Sequence, residues 1–241
     1  LNEHGTMVSS ACVGIAGPVR KGRVKTTNLP WDVSEAKLRR RFGWSQFHLI
    51  NDLAATVRAI PLLQGKEVFS LNKARGEKNE AIGLVAPGTG LGMALLVWAG
   101  NRFIPVSSEG GHIDFGPNSQ AEAELYNYLH RKFGHVSTER VLSGPGLYHI
   151  YAWHKESGHY KEPQWLTEQI KRYDPPGVIT EAALKRRTPL AVAALKMFVS
   201  IFGAVAGNLA LTGITTGGIY LGGGIPPKIL DALRDYGFRE A

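Results

Sequence analysis

The chain has 241 residues, 44% of them hydrophobic and 20% charged, which is the composition of a soluble globular protein with a sizeable core. Its single cysteine, Cys12, excludes an internal disulfide framework and a multi-cysteine zinc cluster, and fits a reducing compartment. The net charge is +8, but lysine and arginine are scattered along the chain. The densest cluster, at 37–41, is typical of a solvated helix end. A nucleic-acid patch there is the less favoured alternative, so we expect no nucleic-acid partner.

Two segments bear on targeting. The first residues lack an initiator methionine, a basic region and an apolar run, so no signal peptide is predicted, and the chain is interpreted as beginning within a longer protein. Residues 189–212 are nearly all apolar but are interrupted by Lys196 and Asn208. A buried helix of an α/β protein is favoured over a membrane span, and we expect no membrane partner.

The first quarter of the chain alternates predicted strands and helices. Apolar runs of strand length and segments with capping residues predict, in order, a strand at 11–19, a helix capped by Asp32 or Ser34 and ended by Gly43, a strand at 47–50, and a helix from 53 to about 60. The charged, loop-like stretch 64–80 follows and is the candidate domain boundary.

A glycine-rich turn lies at the centre of the sequence. Two apolar runs, 81–85 and 94–98, predict buried strands on either side of Ala-Pro-Gly-Thr-Gly-Leu-Gly-Met at 86–93. Its glycines at 88, 90 and 92 would let the turn reach positive φ and point successive N–H groups inward, as a chain does when it cradles a phosphate. On this stretch alone an ordinary glycine-rich hairpin is the favoured alternative.

Helices dominate the rest of the chain, and the class is α/β. The predicted elements are a strand at 102–106, an amphipathic helix opened by Ser119 with Leu125, Tyr128, Leu129 and Phe133 on one face, helices near 145–156, 165–172 and 180–187, a long buried helix starting at Thr188-Pro189, a strand ending in the triple glycine 222–224, and a helix from Lys228 to Tyr236.

Four ionisable residues stand out by position. Asp52 lies where a strand ends and a helix begins, Glu109 and His112 flank two glycines, and Glu139 opens Glu-Arg-Val-Leu-Ser-Gly-Pro-Gly. Taken singly, each has a favoured structural explanation: a helix cap, a turn residue, a structural histidine and a surface partner of Arg140. Metal binding by Glu109, His112 and His135 matches no standard zinc spacing, and no metal site is expected.

Taken together and in order, the motifs resemble those of bacterial ATP-dependent glucokinases, in the actin-like, hexokinase-type superfamily. The motifs are Asn28, Asn51-Asp52, Gly88-Thr89-Gly90-Leu-Gly92, Glu109-Gly-Gly-His112-Ile-Asp-Phe, Glu139-Arg-Val-Leu-Ser-Gly-Pro-Gly and Gly222-Gly223-Gly224. The sequence is also similar to repressor–kinase sugar kinases, but their cysteine-rich zinc motif cannot be built from one cysteine.

The resemblance implies an actin-like ATPase (ribonuclease H-like) fold with two domains around a central cleft. Residues 1–63 would be part of the small α/β domain, 64–80 a linker, and 81–241 the large α/β domain. The family's Asp-x-Gly-Gly-Thr-Asn phosphate loop does not occur, and relatives continue through further strand and helix after the last predicted helix. The small domain is therefore expected to be incomplete, and the C-terminal end of the large domain is expected to be missing.

The resemblance also implies roles. Asn28, Asn51, Asp52, Glu109, His112 and Glu139 would bind D-glucose, and Asp52 would be the general base. Gly88, Thr89 and Gly90 would bind ATP phosphate, with Mg²⁺ carried by the nucleotide, and Gly222, Gly223 and Gly224 would lie beside the adenosine. A cytoplasmic homodimer is expected. The alternatives are a non-catalytic sugar-sensing regulator or a kinase for another hexose, and the phosphoryl donor stays open.

Overall fold

The computed structural model describes residues 8–25 and 30–241, so the predicted sugar ligand Asn28 lies outside the described residues. The strands are β1 (Ser10–Ile15), β2 (Arg23–Lys25), β3 (Asp32–Ser34), β4 (Gln46–Asn51), β5 (Ile82–Pro87), β6 (Leu91–Trp98), β7 (Phe103–Ser108) and β8 (Gly218–Leu221). The α-helices are α1 (Glu35–Phe42), α2 (Asp52–Ala59), α3 (Gln120–Phe133), α4 (Gly144–Glu156), α5 (Gln164–Arg172), α6 (Pro175–Leu184), α7 (Pro189–Gly213) and α8 (Leu230–Asp235).

The described strands form three sheets. β1 pairs in parallel with β4, and β2 pairs antiparallel with β3. The largest sheet has the order β7-β6-β5-β8, in which β5 and β8 are parallel and the other neighbours are antiparallel. The predicted hairpin at 81–98 is confirmed as β5 and β6, and the α/β class is confirmed with it.

The N-terminal elements follow local signals, with one exception. Gly43 ends α1 in the left-handed conformation at φ 68°, as glycine at a helix end commonly does. The short hairpin β2–β3 was not predicted, because its three-residue strands carry no alternation long enough to detect. It is joined to the start of α1 by the backbone N–H of Glu35, which donates to the Gly22 carbonyl at 2.9 Å.

Helix α2 connects the parallel pair β1–β4 to the four-stranded sheet. Its apolar side packs on one face of that sheet, where Val57 and the following Ile60 share a buried cluster with Leu84 and Leu96. The stretch 64–80 has no regular structure beyond a 3-10 turn at Gly65–Glu67. The division into domains at 64–80 stays a prediction, and α2 packs on the sheet that follows it.

The main core covers the other face of the four-stranded sheet, where α7 packs against α4, α6 and β5. Thr188 caps α7 by accepting a hydrogen bond from Leu190 N–H at 3.3 Å, which confirms the predicted helix start. Phe198 and Phe202 are fully buried. Among the described residues, α7 alone is long and apolar enough to cross a membrane, and 61% of its most apolar window is buried inside the protein.

Three predicted features of the C-terminal part were wrong in detail. The helix predicted at 180–187 is α6, which begins at Pro175 because Asp174 caps it and prolines fit the first helical turn. Phe133 lies at the exposed end of α3 under the Arg140 guanidinium, 4.0 Å from its ring centroid, and does not join the buried face of that helix. A 3-10 turn at Pro226–Ile229 precedes the short helix α8.

Candidate active site around the glycine hairpin

The turn between β5 and β6 consists of Gly88, Thr89 and Gly90, and it is closed by the Gly88 N–H donating to the Gly90 carbonyl at 2.8 Å. The freedom of glycine to reach positive φ is not used here, since none of Gly88, Gly90 and Gly92 has a positive φ. Two of these glycines leave space for a neighbouring side chain, which is Glu139 at Gly90 and Leu53 at Gly92. Within the described part of the chain, the N–H groups of Thr89 and Gly90 donate no hydrogen bond, so they remain available to a ligand.

Glu139 contacts this turn directly. Its Oε2 accepts a hydrogen bond from the Leu91 N–H at 2.8 Å, and a Cβ on Gly90 would lie 2.6 Å from the same oxygen. The local explanation of Glu139 as a surface partner of Arg140 was therefore wrong. One carboxylate oxygen holds the hairpin, and the Oε1 atom makes no hydrogen bond to another described residue.

Ser143 holds the segment after Glu139 in place through two hydrogen bonds. Its Oγ donates to the Glu139 carbonyl at 2.7 Å and accepts from the Gly146 N–H at 3.0 Å, which caps α4. The next N–H, that of Gly144, donates to the Gly88 carbonyl at 2.8 Å. Sequence reasoning included these residues in a motif but missed their role as a second attachment of the hairpin. The serine before a Gly-Pro-Gly helix start was the available signal.

Asn51 and Asp52 lie at the start of α2, where Asn51 is the N-cap and Asp52 is the first helical residue. The Asn51 Oδ1 accepts from the Leu53 N–H at 3.0 Å and the Ala54 N–H at 3.1 Å, so Asn51 is the cap, and the local explanation of Asp52 as the cap was wrong. The Asn51 Nδ2 donates to the Gly17 carbonyl at 3.3 Å. Asp52 occupies the first helical position, where its Oδ1 accepts from Leu53 N–H at 2.9 Å.

A close contact brings this helix start to the hairpin. A Cβ on Gly92 would lie 2.8 Å from the Leu53 side chain, so the glycine lets the first turn of α2 approach β6. On its other side, Gly14 of β1 lies against the Asp52 backbone, where a Cβ would be 3.7 Å from Asp52 Cα. Asp52 is thus held between the ends of two sheets.

Glu109 and His112 flank a 3-10 turn at Gly110–His112, in which the His112 N–H donates to the Glu109 carbonyl at 2.9 Å. The two intervening glycines are buried against β6, where Gly111 packs on Leu91. The side chains of Glu109 and His112 are exposed beside them. Buried glycines therefore place an exposed carboxylate and an imidazole next to the strand that leaves the hairpin.

The triple glycine after β8 lies on the opposite side of the hairpin. Gly222 N–H donates to the Val85 carbonyl at 2.9 Å, and Gly223 has φ 79° and packs its backbone on Ala86 and Pro87. A side chain at Gly223 would meet that backbone, so glycine is required there for both conformation and space.

Every predicted site residue that the structure describes thus lies on the hairpin or on a segment that contacts it or its two strands. Their chemical groups are three carboxylates, one imidazole, one amide and the free N–H groups of the turn. Across residues 8–25 and 30–241 there is no group of three or more His, Cys, Asp or Glu that could hold a metal ion. The arrangement suits a polyhydroxyl ligand on the carboxylate side and an anion at the turn.

The fold and this site define the class as sugar kinases of the actin-like ATPase fold. In the solved structures, a repressor–kinase (ROK) family glucokinase from Streptomyces griseus, crystallised with glucose and AMPPNP, matches 92% of this chain and 69% of its own at TM-score 0.59 and 20% identity. That likeness concerns the fold alone. A glucokinase from an Antarctic psychrotroph matches 95% of this chain and 68% of its own, with TM-score 0.82 and 32% identity.

The chain belongs to the glucokinase family. The model of that family, described as Glucokinase, matches residues 2–241. The glucokinase of Shigella sonnei is 39% identical over 241 residues, which are 100% of this chain and 72% of the relative. The resemblance drawn from the motifs and the actin-like fold class are both confirmed. The roles of the individual site residues stay predictions.

Proposed function

We propose that this member of the glucokinase family transfers the γ-phosphoryl group of ATP to the 6-hydroxyl of D-glucose, with Asp52 as the general base. The products are glucose 6-phosphate and ADP. The contact between Glu139 and the Leu91 N–H carries the proposal, because it joins a group suited to sugar hydroxyls to a turn suited to phosphate. Family membership supports the same reaction.

Asp52 accepts the proton of the 6-hydroxyl as that oxygen attacks the γ-phosphorus. One carboxylate oxygen already accepts from Leu53 N–H, which orients the group and leaves the second oxygen for the sugar. A positioned base of this kind contributes about 10²–10⁴-fold to a rate. The rest of the acceleration comes from alignment and charge neutralisation, since phosphoryl transfer asks little covalent chemistry of the protein.

Glu109, His112 and Glu139, with Asn28 and Asn51, hold the remaining hydroxyls of glucose. Glu139 offers its Oε1, because Oε2 is bound to the hairpin. Asn51 offers the second N–H of its Nδ2, because its oxygen caps α2 and its first N–H donates to the Gly17 carbonyl. A site with several fixed donors and acceptors rejects a sugar that leaves one of them unpaired, which gives selectivity among hexoses.

The N–H groups of Thr89 and Gly90, with Gly88, bind the ATP phosphates, and Gly222, Gly223 and Gly224 lie beside the adenosine. Mg²⁺ arrives with the nucleotide and neutralises its phosphate charge. Closure of the domains on either side of 64–80 over the sugar excludes water, whose attack would hydrolyse ATP. We further propose that the enzyme acts in the cytoplasm, in accord with its single cysteine, and that it is a homodimer.

The test is glucose-dependent ADP release by the full-length protein, with Asp52→Asn beside wild type. We expect turnover in wild type and a fall of about 10²–10⁴-fold in Asp52→Asn. Asp235→Asn, an exposed aspartate of α8, is the matched control and should retain full activity. Near wild-type turnover by Asp52→Asn would show that Asp52 is not the general base.

The same assay separates the alternatives. Turnover only with another hexose would reassign the substrate. A folded protein that binds glucose but releases no ADP with any hexose or donor would support a non-catalytic, sugar-sensing regulator.

A further inference from the structure

Ser143 is a buried residue that lies four positions after Glu139. It is 1% exposed, so its side chain cannot bind a ligand directly. Its hydroxyl donates to the Glu139 carbonyl at 2.7 Å and accepts from the Gly146 N–H at 3.0 Å. A serine hydroxyl has a single donor hydrogen, and here that donor is used within the protein. Any effect of Ser143 on a ligand must therefore pass through the residues that it holds.

The segment that joins Glu139 to Ser143 belongs to the main core. Val141 and Leu142 are fully buried in it, at 0% exposure. A Cβ on Gly146 would lie 2.6 Å from the Val141 carbonyl carbon, so the first turn of α4 packs directly on this segment. Close-packed interiors transmit small displacements to their neighbours. A change at Ser143 is therefore expected to move both ends of the segment.

The two ends of this segment attach to the hairpin at different points. Glu139 Oε2 accepts from the Leu91 N–H at 2.8 Å, just after the turn. The Gly144 N–H donates to the Gly88 carbonyl at 2.8 Å, at the first residue of the turn. The Ser143 hydroxyl connects these ends, because it bonds the Glu139 carbonyl and caps the helix that begins at Gly144. One buried hydroxyl thus fixes the spacing between two attachments of the turn.

We propose that Ser143 is a positioning residue that sets the affinities for glucose and ATP together. The inference rests on the proposed function, in which Glu139 binds glucose and the turn binds phosphate. Loss of the hydroxyl removes a donor from the Glu139 carbonyl and the cap from α4, so the two attachments are free to shift relative to each other. A displacement on the order of 1 Å costs about 10²-fold in rate. One buried substitution is therefore expected to affect both substrates.

Ser119 is a matched control for the loss of a helix cap. Its Oγ accepts from the Glu122 N–H at 3.2 Å and caps α3, as Ser143 caps α4. Among the described residues, no carbonyl accepts a hydrogen bond from the Ser119 hydroxyl. Ser119→Ala and Ser143→Ala should each lower the melting temperature by about 2–4 °C. Ser119→Ala should leave the affinities for glucose and nucleotide unchanged.

Thr138 is a matched control for the loss of a buried hydroxyl beside Glu139. It is 3% exposed, and its Oγ1 donates to the Ile113 carbonyl at 3.2 Å. Its backbone N–H donates to the same carbonyl at 2.8 Å, so this attachment persists without the hydroxyl. Valine keeps the branched shape of the side chain. Thr138→Val should therefore change neither affinity.

Isothermal titration calorimetry on the full-length protein, with glucose and with magnesium AMPPNP as separate titrants, tests the proposal beside glucose-dependent ADP release. We expect Ser143→Ala to raise both dissociation constants roughly tenfold and to lower kcat as well. Ser143→Thr keeps the hydroxyl and the cap, and it should restore both dissociation constants. Where Ser143→Ala does not fold, Ser143→Cys keeps the side-chain size with a weaker donor, and it should weaken both affinities severalfold.

Three results would overturn the positioning role. The first is an unchanged pair of dissociation constants in the alanine or cysteine variant of Ser143. The second is an equal loss of affinity in Ser119→Ala, because the helix cap alone would then explain it. The third is a loss of affinity for glucose without any loss for AMPPNP, because the attachment through Gly144 would then carry nothing to the turn.

Binding and turnover keep this inference separate from the proposed reaction. A wild type that binds both ligands but releases no ADP contradicts only the reaction, and the dissociation constants of Ser143→Ala still decide the positioning role. An active wild type with an unchanged Ser143→Ala contradicts only the positioning role. A wild type that binds neither ligand contradicts both.

Discussion

The carboxylate of Glu139 accepts a hydrogen bond from the backbone N–H of Leu91 at 2.8 Å, across 48 residues of sequence. Gly90 provides the space for this contact, because any side chain there would displace the carboxylate. The proposed sugar ligand and the proposed phosphate turn are therefore one mechanical unit. A substitution in either is therefore expected to change the binding of both glucose and ATP.

Replacement of Glu139 by alanine removes both the acceptor of the hairpin N–H and a proposed ligand of glucose. Loss of a hydrogen bond to a charged group costs about 1.5–3 kcal/mol, so kcat/KM for glucose should fall roughly 10–100-fold. Glu139→Gln keeps an oxygen for Leu91 and should retain the wild-type KM for ATP while KM for glucose rises. Steady-state kinetics with each substrate varied would measure this. An unchanged KM for ATP in the alanine variant would contradict the mechanical coupling.

The turn offers a matched pair of glycines. A Cβ on Gly90 would lie 2.6 Å from Glu139 Oε2, whereas a Cβ on Gly88 would meet nothing within 4 Å. Neither glycine has positive φ, so alanine is tolerated by the backbone at both. We expect Gly90→Ala to lower kcat/KM at least about tenfold with a small loss of thermal stability, by displacing the carboxylate. Gly88→Ala should be close to wild type. Equal loss in both would point to the turn backbone instead of the contact with Glu139.

Protonation of His154, which lies outside the candidate site, is expected to lower the stability of the fold at acid pH. Burial and the nearby His159 lower its pKa from 6.5 to about 4, although a hydrogen bond with the Ala193 backbone acts in the opposite direction. Because the unfolded chain binds the proton more readily, its contribution to stability is complete above pH 6.5 and is lost as pH falls from there to about 4. The loss is at most about 3–4 kcal/mol.

Urea unfolding of wild type and His154→Phe at pH 7.5, 6 and 5 would measure this effect. Phenylalanine suits the aromatic surroundings formed by Trp153 and Tyr160 and cannot be protonated. The variant should therefore lose less stability than wild type on acidification. The exposed His130→Gln is the control and should follow the wild-type pH profile. Parallel profiles for wild type and His154→Phe would refute the assignment.

Much of the secondary structure was predictable because its signals act over a few residues. Ser119 and Thr188 accept hydrogen bonds from the backbone two or three residues ahead, and Gly43 ends α1 in the left-handed conformation. The hairpin β5–β6 was predictable for the same reason. The start of α6 was missed because Asp-Pro-Pro-Gly favours a loop unless the cap by Asp174 is recognised.

The candidate site was predictable as a set of residues and not as an arrangement. The order of motifs along the chain identified the family, whereas the local explanations of single residues assigned the α2 cap to Asp52 and a surface pair with Arg140 to Glu139. Both local assignments failed, since Asn51 provides the cap and Glu139 bonds to Leu91. The Asn51 amide also donates to the distant Gly17 carbonyl, and Leu91 lies 48 residues from Glu139, so neither contact is visible in the local sequence.

The sequence by itself determined the α/β class, the main helices and strands, and membership of the glucokinase family, because these depend on local periodicity, capping and motif identity. Only the tertiary structure decided which groups meet at the glycine turn and which side chains occupy the space that Gly90 and Gly92 leave. Those properties depend on distances between residues that are far apart in the chain. No pattern of neighbouring residues encodes such distances, because they are set when helices and sheets pack together.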